Sequence, residues 1–109
     1  MISSEMKKRL KKGEKAIDLT IEKWRDIVDK KGIDEGSFNC ALCQIGKDRK
    51  DRFDIPICTN CPLFKYGTAC GSNKSTYVTY SYKPTKKNAQ AMVDELESVR
   101  RKMIKFGEY

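Results

Sequence analysis

The sequence contains no histidine among its 109 residues. Histidine is the side chain whose unperturbed pKa lies closest to neutral pH, and it is the most frequent general acid or base in enzymes. The formal net charge of +8 therefore stays constant near pH 7 unless a thiol titrates. The absence also removes nitrogen ligands from any metal site and argues against acid–base catalysis.

Long apolar stretches are missing as well. No segment approaches the run of about 18 apolar residues that a membrane-spanning helix requires. Residues 1–8 lack the apolar core of a signal peptide. We therefore expect a cytoplasmic protein with no membrane partner, whose five cysteines are thiols or metal ligands and not disulfides.

Motifs of catalysis are absent too. The carboxylates between the cysteine pairs, Asp48, Asp51 and Asp54, have the spacing of a polar turn and not of a paired acid and base. Gly46 and Lys47 lack the upstream glycine and the following hydroxyl residue of a phosphate-binding loop. We expect a protein that is not an enzyme.

Two amphipathic stripes are present, one near each end of the chain. Apolar residues recur at three-and-four spacing and predict helices over residues 4–31 and 86–105; they are Met6, Leu10, Ile17, Ile21, Trp24 and Val28, then Ala89, Met92, Leu96, Val99, Met103 and Phe106. Gly13 is the weak point of the first helix. The stripes bury each other in an antiparallel pair, or leave part of a face open to a partner helix or a dimer.

Residues 36–83 form a different kind of segment, with all of the cysteines and most of the glycines. Its end, residues 75–82, is rich in tyrosine and β-branched residues and predicts a strand that pairs with residues 52–57. The whole chain is thus predicted to be one mostly helical α+β domain, residues 1–109. Two long antiparallel helices flank a small cysteine-ligated zinc lobe with one or two short strands.

The cysteines of this lobe predict a metal site. Cys40 and Cys43 form one C-x-x-C pair, and Cys58 and Cys61 form a second pair with fourteen residues between the two pairs, a separation typical of four-cysteine zinc sites. Cys70 either replaces Cys58 or Cys61 as a ligand or is a spare buried thiol. An iron–sulfur cluster is the second interpretation of the same pattern. Four thiolates close the shell of one zinc ion, which favours a structural role over catalysis.

The cysteine pattern also carries a resemblance. The motifs C-x-L-C at residues 40–43, C-x-x-C-P at 58–62 and G-x-x-C at 67–70, with tyrosines downstream, cover about forty residues of the chain. In these motifs the chain resembles a group of small, mostly uncharacterised proteins of bacteriophages and their bacterial hosts. The resemblance implies a small metal-binding protein of phage origin, located in the host cytoplasm, and implies no particular activity.

Basic clusters give the first hypothesis for a partner, which is nucleic acid. Most of the positive excess lies in residues 1–32 and 83–109, and three clusters are candidates for phosphate contacts; they comprise Lys7, Lys8 and Arg9, then Lys47, Arg49, Lys50 and Arg52, then Arg100 and Arg101. Tyr77, Tyr80 and Tyr82 offer stacking surfaces for unpaired bases. The alternative is a modulator or inhibitor of a host protein complex, which binds through a helix face or the zinc lobe.

Overall fold

The computed structural model of the chain describes residues 3–36, 40–46, 61–68, 70 and 72–109. Six helices and no strand lie in these residues. The helices are α1 (Ser3–Lys11), α2 (Ala16–Val28), α3 (Ala41–Gly46), α4 (Pro62–Tyr66), α5 (Thr76–Tyr82) and α6 (Lys86–Lys105). The predicted α+β class is therefore wrong for the part of the chain that the structure describes. None of these helices combines the length and the apolar composition needed to cross a membrane.

The first predicted helix is in fact two. Gly13 has a φ of +95°, a conformation that a right-handed helix cannot contain, and α1 ends before it. The prediction of one long helix over residues 4–31 is wrong. Gly13 has no Cβ and adopts its positive φ without strain, and the chain turns there between α1 and α2. At the other end of α2, Lys30 and not Gly32 has the positive φ, which is 60°. The amides of Lys30 and Lys31 bond back to Ile27 and Asp26 and close the helix in a Schellman motif.

The predicted strand at residues 75–82 is the helix α5. Ser75 caps it, since the Ser75 hydroxyl oxygen accepts a hydrogen bond of 3.0 Å from the Val78 amide. Tyr77 and Tyr80, three residues apart, meet Trp24 edge to face with centroid distances of 5.9 and 4.9 Å. Tertiary packing on Trp24 and a good cap outweigh the β propensity of the segment. The proposed partner strand, residues 52–57, lies outside the described residues.

The main core lies between α2 and α6. Asp18 pairs with Arg100 and Arg25 pairs with Glu97, so the two helices run in opposite directions. Thr85 caps α6 through the Asn88 amide, and Gly107 follows the helix with a φ of +73°. The core between the helices is apolar and fully buried; it contains Ile17, Ile21, Trp24, Val28, Leu42, Leu63, Ala89, Met92, Val93, Leu96, Val99 and Met103.

A second, smaller cluster holds α1 on the rest of the protein. Met6, which is only 1% exposed, packs with Leu19 of α2 and Ala41 of α3. Arg9 adds contacts between segments, because its guanidinium binds the carboxylates of Glu14 and Glu22. The short helices α3 and α4 pack on α2 and α6 and bring the cysteine segments against the main core.

Candidate metal centre

Four cysteines from three separate stretches of the chain line one cavity of about 200 Å³. Cys40 precedes α3, Cys43 lies within it, Cys61 is the N-cap of α4, and Cys70 lies in the turn before α5. Each of them is partly buried. The structure thus brings together three of the predicted ligands and the alternative ligand Cys70, while Cys58 lies outside the described residues.

Local backbone structure fixes the position of each cysteine. The Cys40 carbonyl accepts the hydrogen bond from Gln44 that starts α3, and the Cys61 carbonyl accepts from Phe64 and Lys65 at the start of α4. Pro62 follows Cys61 at the first position of α4, where its missing N–H costs nothing. The C-x-x-C turn therefore opens a helix at Cys40, and C-x-x-C-P does so at Cys61.

Cys70 is held by the cap of α5. The Ser75 hydroxyl is fully buried and donates a hydrogen bond of 2.9 Å to the Cys70 carbonyl. The same oxygen accepts from the Val78 amide, so one side chain connects the turn at Cys70 to the helix that follows it. Cys70 consequently has a defined place beside α5, although its neighbours in the sequence are an alanine and a glycine.

The thiols of α3 interact strongly with each other. A hydrogen bond from the Cys43 thiol lowers the pKa of Cys40 to about 6; burial opposes this change, while Lys23 and the backbone amides of Cys43 and Leu42 add to it. The pKa of Cys43 is raised, because its thiol donates to Cys40, is buried, and faces the negative charge of Cys40, Cys70 and Cys61. Further thiolates in this cluster need a cation to form, and a bound metal supplies one.

Lys23, one member of a buried ion pair, forms part of the cavity wall. Lys23 is 3% exposed, lines the cavity, and places its ammonium nitrogen 2.9 Å from Asp34 Oδ1. Asp34 also accepts from the Gly36 amide at 2.9 Å and from the Tyr77 hydroxyl at 2.8 Å. Most of the remaining wall is apolar, with Trp24, Leu42, Leu63, Met92 and Leu96. The ammonium lies 5.1 Å from the centre of the Trp24 ring, which adds a cation–π contact.

The four cysteines surround the cavity and do not converge on one point. In the described part of the chain, no three cysteine, aspartate or glutamate side chains are close enough to hold a single metal ion. The thiols have the right chemistry for zinc or for an iron–sulfur cluster, because both are bound by cysteine thiolates.

The predicted nucleic-acid residues have different surroundings. Arg9 binds Glu14 and Glu22, and Arg100 binds Asp18 at 2.7 Å, so both guanidinium groups are occupied by carboxylates of the same chain. Lys7, Lys8 and Arg101 are exposed, as is Tyr82, whereas Tyr77 and Tyr80 pack on Trp24. The cluster of Lys47, Arg49, Lys50 and Arg52 lies outside the described residues.

The ion pair of Lys23 and Asp34 is absent from the sequence-based predictions. Lys23 lies beside Trp24 in a helix that reads as amphipathic, and a lysine there is ordinarily solvated. The only signal is the position of Lys23 four residues after Leu19, which is itself buried. No protein-family model, curated protein or solved structure matches this chain, so its function must be inferred from its own residues.

Proposed function

We propose that this chain is a small, non-enzymatic binding protein whose fold is held together by a metal group on its cysteines, and that its partner is nucleic acid. The observation that carries the metal part is the cavity lined by Cys40, Cys43, Cys61 and Cys70. Zinc is the metal that the cysteine spacing favours. The resemblance to small phage proteins fits a protein of this size and chemistry.

Energetics support a structural role for the metal. Structural zinc contributes about 10–16 kcal/mol of apparent binding free energy in small peptides, whereas whole domains are stable by only about 5–15 kcal/mol. A metal group bound by the cysteines would therefore contribute about as much stability as the rest of so polar a chain, in which 35% of the residues are charged.

Metal content and metal dependence test this part directly. We expect protein purified without added metal to contain a stoichiometric metal, and a chelator strong enough to remove it should abolish the cooperative thermal transition. Circular dichroism before and after chelation measures the effect, and restoring the metal provides the control. A metal-free protein with the same melting curve as the untreated protein would disprove the structural role.

The lysine face of α1 supports nucleic acid as the partner. Lys7, Lys8 and Lys11 are exposed and fall within about 100° of the helix circumference, on the side away from Met6. No ion pair is formed by these three lysines with the described residues. Cations without local partners can neutralise phosphates, in contrast to Arg9 and Arg100.

A pair of matched variants tests the lysine face. The substitutions Lys7→Gln and Lys8→Gln together should weaken binding to mixed-sequence DNA and lower the slope of log K against log salt by about 2. Lys86→Gln with Lys87→Gln removes the same charge from exposed positions at the start of α6 and serves as the control. Equal losses in both variants would indicate a general charge effect, and salt-independent binding would contradict the proposal.

One observation favours a protein partner as the second candidate. Phe106 is 60% exposed and its ring stacks on Tyr66 at a centroid distance of 5.9 Å, while Ile104 is 50% exposed. Exposed aromatic pairs are frequent anchors of protein interfaces. Binding that survives high salt and is lost in Phe106→Ala would support this candidate instead of nucleic acid.

A further inference from the structure

The geometry points to a group larger than a single ion: we propose that Cys40, Cys43, Cys61 and Cys70 hold a four-iron iron–sulfur cluster. This inference rests on the proposed role of the cysteines as metal ligands and names the group that they bind. It also names Cys70, and not Cys58, as the fourth ligand.

The size of the cavity is the first argument. In a zinc site of four thiolates every sulfur lies about 2.3 Å from the ion, so the sulfurs enclose the ion and leave no further space. The four cysteines line, with nine other residues, a cavity of about 200 Å³, whereas one water molecule occupies about 30 Å³ of the liquid. A space with the volume of several water molecules suits a cluster of four iron and four sulfide ions.

The arrangement of the thiols is the second argument. All four cysteines line the cavity, yet no three cysteine or acidic side chains of the described residues come close enough to share one ion. A cluster is bound in a different way, because each cysteine ligates a different iron atom at one corner. The ligands of a cluster therefore surround its volume from several sides and do not converge on one centre.

The wall of the cavity is the third argument. Apart from Lys23, much of the lining consists of apolar side chains from the core, among them Leu42, Leu63 and Leu96. Backbone amides of Leu42 and Cys43 donate to the Cys40 sulfur. Burial and N–H···S hydrogen bonds are the means by which proteins stabilise clusters and set their reduction potentials.

Cys70 is the fourth ligand because the fold positions it. Its carbonyl is anchored by the fully buried Ser75 hydroxyl, and its side chain lines the cavity with the other three. Four thiolates complete the ligand set of a four-iron cluster, so a fifth cysteine is not required. Cys58 is accordingly expected to be dispensable for binding.

Elemental analysis of the full chain tests the proposal. The protein is produced with iron supplied, purified without oxygen, and assayed for iron, acid-labile sulfide and zinc, and its visible absorption is recorded. We expect about four iron and four sulfide per chain, with a brown chromophore that oxygen bleaches. One zinc per chain without sulfide would overturn the cluster and leave the proposed metal-held fold intact. Absence of any metal after anaerobic purification would overturn both.

Two serine variants test the ligand set. Cys70→Ser should lose most of the iron and sulfide, whereas the matched control Cys58→Ser should retain both at the level of the unchanged protein. The reverse result, with iron lost in Cys58→Ser and kept in Cys70→Ser, would overturn the assignment of Cys70. The stoichiometry measured on the unchanged chain does not depend on these variants, so a serine variant that fails to fold leaves the cluster itself testable.

Discussion

Replacing Asp34 with asparagine should strongly destabilise the protein. The Lys23 ammonium is buried, with 3% of the side chain exposed, and Asp34 is the carboxylate that neutralises it at 2.9 Å. Asp34→Asn keeps the shape of the side chain and an oxygen that accepts from the Gly36 amide, but it removes the negative charge. The ammonium then remains buried beside Trp24 without its carboxylate partner.

The expected cost follows from the burial of the pair. Leaving one member of a buried ion pair without its partner costs about 3–5 kcal/mol. Since asparagine still accepts hydrogen bonds and Asp34 is 15% exposed, we expect a value near the lower end, about 3 kcal/mol. With a urea dependence of about 1–3 kcal/mol per molar for a small protein, the unfolding midpoint should fall by roughly 1–3 M.

Urea unfolding followed by the fluorescence of Trp24, the only tryptophan, measures this change. The matched control is the double variant Lys23→Met with Asp34→Asn, which removes both charges and should be more stable than Asp34→Asn alone. Metal content is measured in each variant so that loss of the metal group is not mistaken for loss of the ion pair. A cost below about 1 kcal/mol, or a double variant no better than the single one, would refute the buried pair.

Three further predictions follow from the fold. Trp24→Ala should lower the free energy of unfolding by about 3–5 kcal/mol, since Trp24 is 1% exposed and contacts Tyr77 and Tyr80, and an unchanged thermal melting curve would contradict its place in the core. Gly13→Ala should lower the free energy of unfolding by about 1–2 kcal/mol. The cost comes from the positive φ alone, because the added Cβ meets no atom within 4 Å. A variant that is stabilised in urea unfolding would instead indicate that α1 and α2 merge. Burial raises the pKa of Asp34, but Lys23, the Gly36 amide and Tyr77 outweigh it and lower the pKa overall, so its charge stabilises the fold above about pH 4 and less so below. The stability difference between the unchanged chain and Asp34→Asn, measured by urea unfolding, should therefore be constant from pH 5 to 7 and shrink as the pH falls below about 4.

The two apolar stripes could be predicted from the sequence, because the burial of apolar side chains determines which face of a helix packs on the core. Residues 86–105 form α6 as the periodicity predicts, and the apolar residues of α2 lie in the core. Phe106 was wrongly placed in the stripe, since it follows the helix and is 60% exposed. The prediction of a helix over residues 4–31 is wrong at Gly13, where the positive φ of one residue interrupts an otherwise good amphipathic pattern.

The prediction of a strand at residues 75–82 is wrong for a different reason. Tyrosine, valine and threonine favour strands only on average over many proteins. Here the packing of Tyr80 on Trp24 and the cap at Ser75 favour a helix instead. The proximity of Cys40, Cys43 and Cys61 could be expected from their spacing. The ion pair of Lys23 and Asp34 could not, because the burial of Lys23 depends on side chains that five helices bring to the cavity.

The order in which the chain is synthesised affects when α6 packs on α2 and completes the wall of the cysteine cavity. Met92 and Leu96, which line the cysteine cavity, belong to α6, which is synthesised after the other described helices. At about 5–20 residues per second, all five cysteines are made seconds before these two residues. Under the proposed metal binding, the thiols acquire the metal group while the cavity is still open on that side. Arrival of α6 then encloses the group, so assembly in the cell has a direction that refolding of the complete chain lacks.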